Sequence, residues 1–284
     1  MGRAENIEIF EDTQKLYRSE PRLKAAVDGS VRSQSLILGD IAVKSYQGEQ
    51  VYPNQATVTV SLKRSFEAAS KYVGSGLKTC VHNFASAGNP GGGVVRGAGA
   101  QEECLCRCST LYPCLDSAAM WQGFYRPHRA LGDPLHNDDC IYTPGVIVFK
   151  TDTYMPERMP ESDWYTVDVL TCAAPNLREQ PSNQYNPSDG NKGVAISQKE
   201  LQTLHERRLR RILDVAAGYG AEAIILGAFG CGAFRNPPTI VAAAAKSVIR
   251  EYLTCFKAVE FAVYCRKDDT SNYDVFSRVL SDFR

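Results

Sequence analysis

Short apolar runs of strand length alternate with apolar residues at helical spacing along most of this chain, and that alternation sets the first expectation of its fold. Residues 35–41, 56–61 (ATVTVS, rich in β-branched positions), 80–84, 145–150 (GVIVFK), 166–173 (TVDVLTCA), 223–229 (AIILGAF) and 259–265 read as strands. Between them, 11–18 and 65–72 read as helices, and a helix-permissive stretch runs from Gln101 to Leu111 with Pro113 as its stop. Ser197 opens a long helix that carries Leu201, Leu204, Ile212, Val215 and Ala216 on one face, with the HERRLRR run at 205–211 largely outside. Val241, Ala244, Ala245, Val248, Ile249, Tyr252 and Leu253 recur at helical spacing, and 272–283 reads as a last helix. Strands alternating with helices predict an α/β domain with a mixed, mostly parallel sheet and helices on both sides.

Two segments break both periodicities. Residues 116–139, containing WQGFYRPHRALGDPLHNDD, are expected to form a lid or binding loop, with Tyr125, His128 and Arg129 either facing a ligand or packing the loop onto its own domain. The polar run SNQYNPSDGNKG at 182–193 reads as a second loop. Residues 1–75 are expected to be an N-terminal extension packed on a core that spans 76–284 as one compact unit.

Charge narrows the range of partners. The 284 residues hold 32 basic and 32 acidic side chains, so no global field draws the chain to nucleic acid or membrane, and a polyanion would have to be held by local N–H groups. The arginine-rich 205–211 run then reads as a solvated helix face. No 18-residue apolar run is present and the charged N-terminus lacks a signal-peptide core, which implies an intracellular protein, cytoplasmic or, in a eukaryote, nuclear. The ten cysteines lack C-x-x-C pairs and His partners at ligand spacing, so reduced buried thiols are expected rather than disulfides or a metal site. Cys231, inside a Gly-rich turn, is either oxidisable or simply small enough for the turn.

Candidate chemistry concentrates between residues 79 and 115. Gly91, Gly92 and Gly93 remove every Cβ from one backbone stretch, so it can adopt positive φ and approach a ligand closely. Gln101, Glu102 and Glu103 follow in the first turn of a helix, whose free N–H groups attract phosphate. Two adjacent carboxylates would repel phosphate, so something else must be contacted there. Vicinal sugar hydroxyls suit a carboxylate acceptor, and a bond that must be protonated suits a carboxylic acid. A second glycine-rich stretch, LGAFGCGAFRNPP at 226–238, also follows a strand. Ligands of such sheets bind at the carboxyl ends of strands. Two side-chain-free loops at such ends suit a diphosphate, with Gly91, Gly92 and Gly93 on one side and Gly230, Cys231, Gly232 and Ala233 on the other. Phe234 is placed to stack on a ribose or base, or to pack in the core.

The GGG triplet, seven intervening residues and then QEE, set within NFASAGNPGGG and LYPCL, resemble the signature of the microbial-type poly(ADP-ribose) glycohydrolases, and 226–238 is similar to the second phosphate loop of the macrodomain fold they use. The resemblance covers most of the chain. It implies a macrodomain-like sheet sandwiched by helices, no cofactor and no metal, and a monomer that acts on ADP-ribose or poly(ADP-ribose) on modified proteins, reversing ADP-ribosylation as in a DNA damage response. It implies no sequence-specific nucleic-acid binding. It also makes Glu103 the catalytic acid, Glu102 an acceptor for ribose hydroxyls and Gln101 its positioner, with Asn83 and Asn89 as further ribose ligands. A helix turns about 100° per residue, so the two carboxylates are expected to point apart. The helix start is expected to lower the pKa of Glu103, which then gains its proton affinity only with substrate bound. The competing reading is a macrodomain that only binds ADP-ribose. A nucleotide hydrolase is disfavoured by the lack of a G-x-x-x-x-G-K-[ST] motif and of a metal-binding carboxylate cluster.

Overall fold

In the computed structural model, residues 2–183, 188–266 and 268–283 are described. Part of the polar loop expected at 182–193, residues 184–187, lies outside them. The chain opens with two helices, α1 (Arg3–Ser19) and α2 (Pro21–Ser33), followed by β1 (Ser35–Ile37), β2 (Thr57–Ser61), α3 (Ser65–Gly74) and β3 (Thr79–Ala85). After a long loop come α4 (Gln101–Cys108), α5 (Leu111–Leu115), α6 (Ala118–Met120) and α7 (Arg126–Leu131), the last two joined by a π-helical turn at Trp121–Tyr125. Then follow β4 (Cys140–Val148), β5 (Tyr165–Ala173), α8 (Gln198–Gly218), β6 (Ala223–Leu226), α9 (Pro238–Ile249), β7 (Ala258–Ala262) and α10 (Ser271–Val279).

The seven strands form one sheet in the order β1-β4-β5-β3-β6-β7-β2. Pairing is parallel from β5 through β3, β6 and β7 to β2, and antiparallel where β4 meets β5 and β1. The mixed, mostly parallel sheet expected from the alternation of elements is therefore present. Residues 1–75 supply β1 and β2, which are the strands at its two edges.

The period of two along each strand decides which face a residue packs on. Cys80, Leu170, Ile224 and Val259 join Ile212, Val241, Val248 and Phe276 from α8, α9 and α10 in one core. Their neighbours Val81, Val169, Ile225 and Ala258 join Phe66 of α3, Leu105 of α4, Leu111 of α5 and Phe10 of α1 in a second core on the opposite face. Two packed layers thus hold the central strands β3 and β6 rigidly, and both glycine-rich loops leave from the ends of those two strands. Among the described residues no helix is long and apolar enough to cross a membrane.

Several elements differ from the sequence expectation. α2 is absent from the elements expected from sequence, although Leu23, Ala26, Val27 and Ser30 turn one face of it inward at helical spacing. Pro113 does not stop a helix. The break falls at Ser109 and Thr110, and Pro113 sits in the first turn of α5, where its missing N–H costs nothing. The 116–139 segment is helical over much of its length rather than an irregular lid, with Pro127 tolerated at the start of α7 and Gly132 closing it at φ 58°. Within it Tyr125 and His128 are buried: Tyr125 packs into the core with Leu105 and Leu111, and His128 Nδ1 and Nε2 bond the Phe124 carbonyl and Asn137 of the segment itself.

The 205–211 run is not uniformly solvated either. Arg208 is fully buried: its Nε donates to Asp138 at 2.9 Å, and its terminal nitrogens donate to the carbonyls of Ala173 (2.8 Å), Leu135 (3.2 Å) and His136 (3.3 Å). It ties α8 to the carboxyl end of β5. Its neighbour Arg207 meets the same carboxylate from the exposed side, with Nε 2.5 Å from Asp138. Arg208→Ala is expected to cost ~3–5 kcal/mol, because it strands buried carbonyls and half of an ion pair, whereas Arg207→Ala costs less than about 1 kcal/mol. Denaturant midpoints of the two variants measure the difference; equal losses would contradict the buried-clamp account.

Candidate active site

The loop after β3 is shaped by its prolines and glycines. Gly92 N–H donates to the Asn89 carbonyl at 3.0 Å across Pro90 and Gly91, and Gly91 has φ +64°. A positive φ at the third turn position is the requirement of a type II turn, and proline is favoured at the second. A Cβ on Gly91 would meet Tyr112 at 2.8 Å and Val94 at 3.0 Å, so this glycine faces packed interior. Gly92, at φ +58°, faces the acidic helix start: a Cβ there would meet Glu103 Oε1 at 2.6 Å and Glu102 Oε2 at 3.1 Å. Gly93 N–H donates to Glu103 Oε1 at 2.8 Å.

The start of α4 is stitched to the neighbouring backbone by Gln101. Its side-chain oxygen accepts from Phe84 N–H at 2.9 Å, and its Nε2 donates to the His82 carbonyl (2.8 Å) and to Ser65 Oγ (3.0 Å). Glu102 is held at both oxygens, by Asn83 Nδ2 at 3.2 Å and by Ser86 N–H at 2.8 Å. Asn83 is itself fixed by Thr171 at 3.1 Å and is fully buried, so it lies behind Glu102. Glu103 differs, because its Oε2 is buried and bonds no group among the described residues.

Two expectations change here. The carboxylates do not point apart: their side chains bend back over the helix start and converge on Gly92, so the 100° step between their Cα atoms is undone by their length. Nor is the Glu103 carboxyl ordinary in the free protein. Burial raises its pKa, outweighing the Gly93 and Ala100 N–H groups and the charge of Arg107, which lower it. Burial, and then the charge of Glu103, push Glu102 well above the usual carboxylate range. Desolvation exceeds the helix-start effect because both groups are more than nine-tenths buried, at 3% and 7% exposure.

The second glycine-rich loop is clamped from below. Gly230 has φ +79°, and a Cβ there would lie 2.5 Å from Asn236 Nδ2. Asn236 donates to the carbonyls of Pro175 (2.7 Å) and Gly230 (3.1 Å), and its oxygen pairs with His205 Nε2 at 2.8 Å. Cys231 packs against the core beside the turn, and burial pushes its thiol up to about 12, which makes it a poor nucleophile.

A cleft of about 810 Å³ joins the two loops. Gly92, Gly93, Gln101, Glu102 and Glu103 line one wall, and Gly230, Gly232, Ala233 and Phe234 line another. Gly91, Asn83, Asn89 and Cys231 are not on its surface, nor are Tyr125, His128 and Arg129. Sequence reading missed Arg64, Asp152, Tyr264 and Arg266, which also line the cleft. Each follows a strand by a few residues, and that position was the available signal. Asp152 accepts from Phe66 N–H at 3.0 Å at the start of α3, and burial raises its pKa to about 6.

A family model described as the catalytic domain of microbial-type PARG matches residues 5–151, just over half of the chain. Comparison with curated proteins gives no match. Among solved structures, the poly(ADP-ribose) glycohydrolase of Thermomonospora curvata is 28% identical with a TM-score of 0.80, over 96% of this chain and 98% of that one. The same enzyme bound to the inhibitor ADP-HPD gives 28% identity and a TM-score of 0.78, over the same 96% and 98%. The poly(ADP-ribose) glycohydrolase of Deinococcus radiodurans in complex with ADP-ribose is 29% identical, with a TM-score of 0.75 over 91% of this chain and 98% of that one.

The buried carboxylates should cost stability. A glutamate whose folded pKa lies above its ordinary value of 4.5 carries no penalty below that value, where it is protonated in both states. As pH rises from there through the folded pKa, the unfolded chain ionises first and stability is lost. Glu103→Gln is therefore expected to melt a few degrees higher than the parent at neutral pH, at roughly 2–4 °C per kcal/mol, with the gain vanishing in acid. Melting curves across that pH range test this; a gain independent of pH would contradict it.

Proposed function

The chain belongs to the microbial-type PARG family, and on that footing we propose that it hydrolyses the O-glycosidic ribose bond of ADP-ribose units, with Glu103 as the acid. The observation that carries the assignment of the acid is the asymmetry of the pair: Glu102 has both oxygens occupied, whereas Glu103, which lines the cleft, keeps a buried Oε2 without a partner among the described residues.

The diphosphate sits between the backbone of Gly92 and Gly93 and that of Gly230 to Ala233, and Phe234 stacks on the ribose. Glu102, fixed by Asn83 and Ser86, accepts from ribose hydroxyls. The proton held by the buried pair passes through Glu103 to the leaving oxygen as the C1–O bond breaks. Glu103, now a carboxylate, takes a proton from the water that adds to C1, which restores the acid and releases ADP-ribose. The substrate's own phosphates stabilise the positive charge that develops on the sugar. A protein that only reads ADP-ribose has no use for two desolvated carboxylates, whose burial is costly.

The solved relatives with ADP-HPD and with ADP-ribose bound support the same ligand class for this cleft. All ten cysteines are free thiols and seven are buried, in keeping with a reducing intracellular setting.

With poly(ADP-ribose) as substrate, Glu103→Gln is expected to lower kcat by ~10²–10⁴-fold while the Kd for ADP-ribose stays within about threefold. Product release assays and calorimetric titration measure the two. A parent protein that binds ADP-ribose but releases none from the polymer would instead be a reader.

A further inference from the structure

Arg129 on α7 is outside the cleft, yet the first glycine loop engages its guanidinium twice. Nε donates to the Gly88 carbonyl at 2.6 Å, and a terminal nitrogen donates to Asn89 Oδ1. The guanidinium also lies over the Trp121 ring, 4.8 Å from its centroid, and the indole N–H is fixed by Asp116 at 2.8 Å. Gly88 and Asn89 enter the type II turn, and the Asn89 carbonyl accepts the Gly92 N–H that closes it. A planar donor held in place by an indole thus grips the first corner of the turn from behind.

We infer that Arg129 is a positioning residue for this loop, holding it in the conformation that receives the substrate's diphosphate; the inference rests on the functional reading given above. A loop with three successive glycines has much conformational freedom to lose on binding, and a fork that spans two acceptors removes part of it beforehand. Lysine would reach one acceptor, but it cannot span both or stack as a plane. The acid end of the loop has a separate anchor, because Val94 is fully buried behind Gly93. Loosening the Asn89 corner therefore weakens substrate binding more than it disturbs the Gly93 contact to Glu103, and the effect falls on KM rather than kcat.

The test uses the full chain. In protein carrying Glu103→Gln, calorimetric titration with ADP-ribose is compared with and without Arg129→Ala and Arg129→Lys, and KM and kcat are measured for the same Arg129 variants with Glu103 intact. Arg129→Ala is expected to raise Kd and KM by about tenfold, with kcat within about twofold and Tm unchanged, since the residue is exposed. Arg129→Lys recovers part of the loss. ADP-ribose binding indifferent to Arg129, or a loss of kcat that follows a fall in Tm, overturns the inference alone. Failure of ADP-ribose to bind when Arg129 is present overturns the functional reading and this inference with it.

Discussion

Two carboxylates packed against one glycine set the terms for the rest of the site. Glu102 and Glu103 bring oxygens to the place a Gly92 Cβ would occupy, and only a residue without that atom lets them stay. The arrangement is expensive: both groups leave water, each repels the other, and the N–H groups around them offset only part of the cost. The fold meets that cost with rigidity. Gln101 bonds the end of β3 and Ser65 at the start of α3, while Asn83 and Ser86 hold Glu102 from the strand side.

That rigidity comes from burial on both faces of the sheet. β3 and β6 are central and flanked by strands on each side, so the two glycine loops they deliver are fixed relative to one another. Within the two loops the backbone takes positive φ at Gly91, Gly92 and Gly97 in the first and at Gly230 and Arg235 in the second. Polar side chains fasten each loop from behind: buried Asn236 and His205 under the second, and exposed Arg129 with Trp121 behind the first. Apolar packing alone could not satisfy the carbonyls that such tight turns leave pointing inward.

What could be read from the sequence follows from this division. Short apolar runs located all seven strands, and helical spacing located the face-forming residues of α8 and α9. Gly92, Gly93, Gln101, Glu102, Glu103, Gly230, Gly232, Ala233 and Phe234 come to one cleft, as expected from two glycine-rich loops at strand ends and from the family resemblance. Long-range polar contacts leave no such trace. Nothing local in HERRLRR marks Arg208 as buried and Arg207 as exposed, since the partners of Arg208 are 35 to 73 residues earlier in the chain. In the same way, Asn89 belongs to the motif but its side chain is held by Arg129, and the convergence of Glu102 and Glu103 depends on side-chain length that a helical wheel ignores.

The central claim is that burial, rather than substrate, gives the acidic pair its proton. Carbon-13 NMR of glutamate carboxyls in the ligand-free protein, assigned by comparison with Glu102→Gln, tests it most directly. The account predicts at least one carboxyl of the pair still protonated at pH values where exposed glutamates have ionised. Two carboxyls that titrate together in the ordinary range, and move upward only when ADP-ribose is added, would contradict it.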